Sequence, residues 1–230
     1  MAHLLLLHGA LGSKDQFSAL SQEIKHDFLI DTLNFSGHGR TTSLEHAFTI
    51  QNCAHEVLHW LNDKQRLKTD IFGYSMGGYV ALWLARFYPD RVGKIFTLGT
   101  KFDWNESTAE KETKLLNAEK ITEKVPAFAK ELQDRHGENE WRSVLHKTAN
   151  LMHDLGKHHL TDQDFKLITS QVLLALGDKD NMVTKEEMFH VEKQIPGAKF
   201  LELKDTLHPF EKVSVDLLSK EIKNYFKQTV

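Results

Sequence analysis

The sequence predicts an α/β fold in which a mostly parallel sheet of about six strands carries helices on both faces. Short apolar runs alternate with segments of helical periodicity, which is the pattern of strands joined by crossover helices. The runs are continuously apolar, as expected for strands covered on both faces. The length of 230 residues, 40% of them hydrophobic, suits one large domain or two small ones with an ordinary core.

The elements follow one another in alternating order along the chain. The predicted strands are His3–Leu7, Phe28–Leu33, Asp70–Phe72, Lys94–Leu98, Gln171–Leu176 and Lys199–Leu203. The predicted helices are Asp15–Lys25, Ile50–Asn62, Met76–Phe87, Lys185–Gln194 and Pro209–Phe226. Proline-containing segments after the third and fourth of these helices stop them before the next strand.

Residues 101–165 interrupt the alternation, because they contain no strand-like run and 23 of the 65 are charged. Apolar residues from Trp141 to Leu155 recur at helical spacing, and Pro126 is expected to open a shorter helix that His136-Gly137 closes. Insertions at the carboxyl edge of such sheets lie over the ligand crevice. We therefore expect a helical cap or lid at 101–165 on a core of residues 1–100 and 166–230, with simple extra packing as the alternative.

Composition excludes several classes of partner. The 29 basic and 32 acidic residues give a net charge of −3, which offers no basic surface for nucleic acid. Apolar runs such as Tyr79–Ala85 are too short to span a membrane, and the N-terminus lacks the features of a signal peptide. The single cysteine, Cys53, cannot form an internal disulfide. We expect a cytoplasmic protein that acts on a small molecule without a cofactor; its oligomeric state stays open.

The 14 histidines raise the question of a metal site, and His55-Glu56-Val57-Leu58-His59 matches the zinc motif H-E-x-x-H. The helical phase argues against that interpretation, because an apolar stripe directs both histidines of the motif toward solvent. The stripe consists of Ile50, Cys53, Ala54, Val57, Leu58 and Leu61. No third-ligand motif follows, so we predict no metal site.

The segment Gly73-Tyr74-Ser75-Met76-Gly77 fits G-x-S-x-G between a predicted strand and a predicted helix. A sharp strand-to-helix turn of this kind exposes a serine hydroxyl at a helix N-terminus, where partial positive charge favours a developing anion. The small glycines on either side relieve the crowding at such a turn. Ser75 is therefore the candidate nucleophile.

A serine nucleophile needs a base, and the base needs an orienting carboxylate. His208 follows the last predicted strand, and Asp178 and Asp180 both follow the strand before it, which is the chain order expected after Ser75. Asp178 directly follows the glycine after this strand and is more typical of a residue that caps the turn. Asp180 is expected to project farther toward the mouth of the site, so we favour it over Asp178. Asp205 is too close to His208 in sequence to face it across a site.

These segments together resemble the α/β-hydrolase family. His8-Gly9-Ala10-Leu11-Gly12 is similar to its His-Gly oxyanion loop, and Asn34-Phe35-Ser36-Gly37-His38-Gly39-Arg40 to its D-x-x-G-H-G-R segment. The acid loop is similar at Gly177, Asp180 and Val183. The resemblance implies an oxyanion hole formed by the backbone N–H groups of Ala10 and Met76. The sequence departs from the family at its start, which corresponds to the third family strand, so we expect a shorter sheet of about six strands without the usual first hairpin.

We expect a serine hydrolase that cleaves a carboxylic ester or thioester through an acyl-enzyme on Ser75. Leu11, Tyr74 and Trp104 are candidate substrate contacts. Two alternatives stay open at this point: a C–C bond hydrolase or lyase with the same three residues, and a ligand-binding signalling module with vestigial hydrolysis.

Overall fold

A computed structural model describes residues 1–42 and 46–227. Six strands form one sheet in the spatial order β2-β1-β3-β4-β5-β6, and each neighbouring pair is parallel. The strands are β1 (Ala2–Leu7), β2 (Phe28–Leu33), β3 (Thr69–Tyr74), β4 (Val92–Leu98), β5 (Val172–Gly177) and β6 (Lys199–Leu203). The predicted fold class is confirmed. The strand order reverses direction at β1, which creates a crevice beside the carboxyl ends of β1 and β3.

The helices lie between and around these strands. They are α1 (Ser18–Ile24), α2 (Ile50–Asp63), α3 (Met76–Phe87), α4 (Glu106–Thr113), α5 (Ala118–Lys124), α6 (Pro126–His136), α7 (Trp141–Lys157), α8 (Asp162–Lys166), α9 (Lys185–Gln194) and α10 (Val215–Lys227). Short 3₁₀ turns occupy Lys14–Phe17, Pro89–Arg91 and Phe210–Lys212.

Two predicted helix boundaries were wrong. The helix predicted at Asp15–Lys25 begins as a 3₁₀ turn, and α1 proper starts only at its fourth residue. The helix predicted at Pro209–Phe226 is split, because Val213 is extended with φ −76° and ψ 133°. The Ser214 hydroxyl then accepts a hydrogen bond from Leu217 N–H at 3.3 Å, which caps the start of α10.

The two faces of the sheet support separate hydrophobic clusters, as successive strand side chains point to opposite sides. In β1, Leu5 and Leu7 pack with α2, α3 and α9, whereas Leu4 and Leu6 pack with α1 and α10. Helices therefore cover both faces, and the continuous apolar character of β1 follows from its burial on both sides.

The segment between β4 and β5 is helical, containing α4 to α8. Its residues Phe102, Trp104, Leu151 and Leu155 join the cluster on the α2–α3 face of the sheet. A second, small cluster lies within the segment itself, formed by Ile121, Ala129, Leu132, Trp141 and Leu145. This segment is called the cap below. Within the described ranges, no helix has both the length and the apolar character needed to cross a membrane.

Candidate active site

Ser75 lies at the turn between β3 and α3 with φ 50° and ψ −115°, a conformation that a residue with a Cβ rarely adopts. Close packing of backbones holds the turn in place. The N–H of Ser75 donates to the Leu98 carbonyl at 2.8 Å, and a Cβ on Gly77 would lie 2.2 Å from the Leu7 oxygen. Only glycine fits at that contact. Strain held by its surroundings is typical of functional residues, and here it presents the serine side chain at the strand ends.

The start of α3 and the loop after β1 lie against the serine. Met76 is the first residue of α3, so its N–H has no partner inside the helix. Gly9 packs closely against the elbow, since a Cβ at that position would lie 3.2 Å from the Ser75 Cβ. This contact places the loop after β1, including Ala10, beside the serine. The arrangement suits stabilisation of a negative oxygen next to Ser75.

Asp180 and His208 form a hydrogen-bonded pair, with His208 Nδ1 2.7 Å from Asp180 Oδ2. The other carboxylate oxygen of Asp180 accepts from the N–H groups of Met182 at 2.8 Å and Val183 at 3.0 Å. The carboxylate is therefore held on both oxygens. Asp178 is exposed and bonds to the backbone of the loop that carries His208 instead. The pKa of the Asp178 carboxyl is lowered, chiefly by a hydrogen bond from a backbone N–H group.

The His208 segment is anchored next to Ser75 by Tyr74. The Tyr74 hydroxyl donates to the His208 carbonyl at 2.9 Å, and the two rings lie 5.6 Å apart. Burial raises the pKa of this phenol well above its ordinary value, so it stays a donor. Gly99, with φ +61°, lets the end of β4 approach closely, since a Cβ there would lie 3.2–3.3 Å from Asp180 and the His208 ring.

A small cavity of about 40 Å³ opens at the serine. Its walls come from the sheet side and from the cap: Ala10, Ile50, Ser75, Met76, Tyr79, Lys101, Trp104, Leu151, Met152 and Leu155. Of the three candidate substrate contacts, Trp104 lines the cavity. Tyr74 supports His208 instead, and Leu11 packs on the small hydrophobic cluster inside the cap.

Most residues of the cavity wall were not predicted from the sequence. Tyr79 lies one helical turn after Ser75, and its hydroxyl accepts the Leu160 N–H at 2.7 Å. Leu151 and Leu155 belong to the apolar stripe of α7, which periodicity detects without showing what the stripe covers. A larger cavity of about 550 Å³ lies elsewhere, at the amino ends of β5 and β6 near Gln171 and Lys199. It has no contact with Ser75.

The H-E-x-x-H residues do not converge on one point. Glu56 accepts the Ser36 N–H at 2.8 Å, and His55 packs edge-on against Trp83, while His59 is exposed. Over residues 1–42 and 46–227, no three His, Cys, Asp or Glu side chains are grouped so that they could hold a metal ion. Glu56 instead supports the loop that follows β2.

Three other histidines are buried together at the junction of core and cap. The rings of His8 and His38 lie 5.2 Å apart, and those of His38 and His136 5.4 Å. Burial lowers the pKa of His8 and of His136 to about 4, and that of His38 well below its ordinary value. All three are therefore neutral near pH 7.

The parallel sheet, the strained serine elbow and the paired histidine and aspartate define an α/β hydrolase. The chain belongs to the α/β hydrolase fold family, whose sequence profile matches residues 2–119, just over half of its length. The expected resemblance is thereby confirmed, and the protein is a hydrolase by family.

Individual relatives include lipases and esterases. Lipase 3 of Moraxella sp. (strain TA144) is 22% identical over 228 residues, which cover 89% of this chain and 71% of the lipase. The enol-lactonase from Burkholderia xenovorans LB400 has a TM-score of 0.77 at 18% identity, covering 99% of this chain and 92% of that one. A thermophilic esterase from Thermogutta terrifontis has a TM-score of 0.79 at 19% identity, covering 99% and 90%. At such identities the two structures share the fold alone.

Proposed function

We propose that the protein is a serine esterase that hydrolyses a carboxylic ester or thioester of a small molecule through an acyl-enzyme on Ser75. The observation that carries this proposal is the strained Ser75 elbow, which opens into the small cavity and whose neighbour Tyr74 holds the segment of the hydrogen-bonded Asp180–His208 pair. The presence of a lipase and an esterase among the relatives supports the proposal that the bond cleaved is a carboxylic ester.

In the proposed reaction Ser75 Oγ attacks the acyl carbonyl while His208 Nε2 takes its proton. Asp180 accepts the Nδ1–H of His208, which fixes the tautomer and stabilises the imidazolium. The N–H groups of Ala10 and Met76 hold the tetrahedral oxyanion, each contributing roughly 3–4 kcal/mol to the transition state. His208 then protonates the leaving alcohol or thiol. Water, deprotonated by His208, attacks the acyl-enzyme, releases the acid and regenerates Ser75.

The size of the cavity favours a short acyl group. At about 40 Å³ the cavity holds a few water-sized groups at most. Most of its wall is apolar, from Ile50, Tyr79 and Leu151 among others. The one cationic wall residue, Lys101, donates to the Met182 carbonyl at 3.0 Å and lies 3.8 Å from Glu112. We therefore propose uncharged acyl chains of a few carbons as the preferred substrates.

The cap takes the role of a lid in this proposal. Trp104, Leu151 and Leu155 belong to the cap and close the cavity over Ser75. Larger substrates then require the cap to move away from the sheet. The exclusion of water by these side chains strengthens the electrostatic interactions of the reacting groups.

The Ser75→Ala variant tests the proposal directly. Wild type should gain the mass of a fluorophosphonate adduct and hydrolyse p-nitrophenyl acetate or butyrate, whereas Ser75→Ala should do neither. Loss of the nucleophile is expected to lower turnover by at least about 10⁴-fold. Full esterase turnover by Ser75→Ala contradicts the assignment. Labelling of wild type without turnover of any ester or thioester favours the C–C bond or ligand-binding alternative.

A further inference from the structure

Leu11, in the loop after β1, has a backbone conformation that its side chain disfavours. Its φ is +58°, in the left-handed region where a Cβ is crowded. The Gly12 N–H donates to the Gly9 carbonyl at 3.1 Å, so Ala10 and Leu11 are the central residues of a tight turn. A positive φ at the second central residue is normally met by glycine. Something outside the turn must therefore hold Leu11 in place.

The last two residues of α6, in the cap, contact the Leu11 carbonyl. Arg135 Nη1 donates to it at 2.9 Å, and His136 Nε2 lies 3.0 Å from the same oxygen. The His136 Nδ1 accepts the Gly39 N–H at 3.1 Å, so the proton of the neutral ring is on Nε2 and points to Leu11. The side chain of His136 is thereby held between two core loops.

Arg135 connects the same oxygen to the segment that follows His208. Its Nη2 lies 2.9 Å from Glu211 Oε1, in the 3₁₀ turn directly after the histidine loop. That carboxylate oxygen also accepts from Gln16 Nε2 at 2.8 Å. The Arg135 side chain is 18% exposed and that of Glu211 is 47% exposed, so solvent screens the ion pair more than the part-buried bond to the Leu11 carbonyl. The planar fork of arginine is suited to bridging two acceptors in this way.

We propose that Arg135 and His136 are positioning residues for the oxyanion hole: by holding the Leu11 carbonyl they keep the Ala10 N–H aimed at the substrate oxygen. The inference rests on the proposed esterase function. It means that the oxyanion hole is complete only when the cap is seated on the core. A docked cap therefore completes the site as well as closing it.

The first test compares His136→Ala and Arg135→Met with wild type on p-nitrophenyl butyrate. Because the interaction acts on transition-state geometry, we expect kcat to fall about 10- to 100-fold with KM changed less than about threefold. The inhibition constant of butylboronic acid, whose tetrahedral adduct occupies the hole, should rise by a similar factor. Unchanged kcat and unchanged boronate inhibition in both variants overturn the inference.

The second test uses the strain at Leu11. In the His136→Ala background, Leu11→Gly should recover at least about a third of the lost kcat, because glycine adopts a positive φ without support. Leu11→Ala removes nearly the same packing but keeps the Cβ, so it should recover nothing. Equal behaviour of the two double variants means that His136 acts only by holding the cap, and contradicts the proposal. If His136→Ala does not fold, Leu11→Gly and Leu11→Ala are compared in the Arg135→Met background instead.

Two cap residues serve as matched controls. His153 is exposed on α7, and Arg142 pairs with Glu119 at 3.1 Å on the surface of the cap. His153→Ala and Arg142→Met should keep wild-type kcat. An inactive, unlabelled wild type refutes the esterase function itself, whereas an active wild type with insensitive Arg135 and His136 variants refutes this inference alone.

Discussion

Individual hydrogen bonds decide which of the two neighbouring aspartates can bind His208, the proposed general base. Asp178 and Asp180 follow the same strand and are two residues apart. Only Asp180 reaches the imidazole, because the Met182 and Val183 N–H groups turn one oxygen inward and leave the other facing His208 Nδ1. The side chain of Asp180 is 1% exposed, so this bond is made out of water, where a charge-assisted contact is strong.

Substitution of the two aspartates should separate their roles. Asp180→Asn keeps the shape but presents an amide that favours the wrong tautomer of His208, so kcat on a short ester should fall about 10³- to 10⁴-fold. Asp178→Asn should lower kcat less than about threefold, because Asp178 contacts only loop backbone. Steady-state kinetics of both variants measure this difference, and similar losses in both contradict the proposed role of Asp180.

At the scale of elements, the β4–α4 connection forms a partition between two cavities. Trp104 lines the small cavity at Ser75 and also a second one of about 450 Å³ toward α8 and α9. Its indole N–H donates to the Lys101 carbonyl at 3.0 Å, which fixes the ring. The bond from Leu160 N–H to Tyr79 closes the same wall from the cap. In the proposed esterase, this partition limits the length of the acyl chain that fits beside Ser75.

Removal of the indole should lengthen the accepted substrates. In Trp104→Ala the two cavities merge, so the ratio of kcat/KM for p-nitrophenyl octanoate to that for the acetate should rise at least about tenfold over wild type. Each methylene buried in an apolar pocket contributes roughly 1 kcal/mol, so a few additional carbons are enough for a tenfold change in kcat/KM. The matched control is Trp60→Ala on α2, where the indole stacks on Arg66 and lines neither cavity. An unaltered chain-length profile in Trp104→Ala contradicts the partition.

Across the whole molecule, buried neutral histidines make the junction of core and cap sensitive to acid. His8, His38 and His136 come from three distant segments and pack in a row. The cationic groups that act on them are Arg135 and Lys147, together with the other histidines of the row, and these oppose protonation. In the unfolded chain each histidine returns to a pKa of about 6.5.

Stability should therefore decrease as the pH falls from about 6.5 to about 4. In this range the unfolded chain binds protons that the folded protein excludes, so each histidine removes about 1.4 kcal/mol of unfolding free energy per pH unit. Urea unfolding at pH 7, 6 and 5 measures this dependence. His38→Gln removes one titrating group, so its unfolding free energy should depend less steeply on pH than that of wild type. The control His153→Gln, at an exposed position, should keep the wild-type dependence. Equal slopes for wild type and His38→Gln contradict the assignment.

Much of the fold and part of the candidate site follow from local patterns. The apolar runs predicted six strands, since a strand buried on both faces must be apolar at successive positions, as β1 is. The location of Ser75, Asp180 and His208 at one edge of the sheet was predictable because each follows a strand, and parallel strands end at one edge. The start of α10 was missed because Pro209 is a residue type that favours the first position of a helix, whereas the helix begins only after the Ser214 cap.

The sequence by itself determined the class of fold and the position of the candidate nucleophile, because strand burial and the glycine-flanked elbow depend on residues close together in the chain. Tertiary structure alone decided the wall of the cavity, the supporting role of Tyr74 and the contact of Arg135 and His136 with Leu11. The last of these joins residues 124 and 125 positions apart. Periodicity marks His136 only as the end of a helix. Hydrogen bonds between distant loops depend on how helices dock, and no local pattern encodes that.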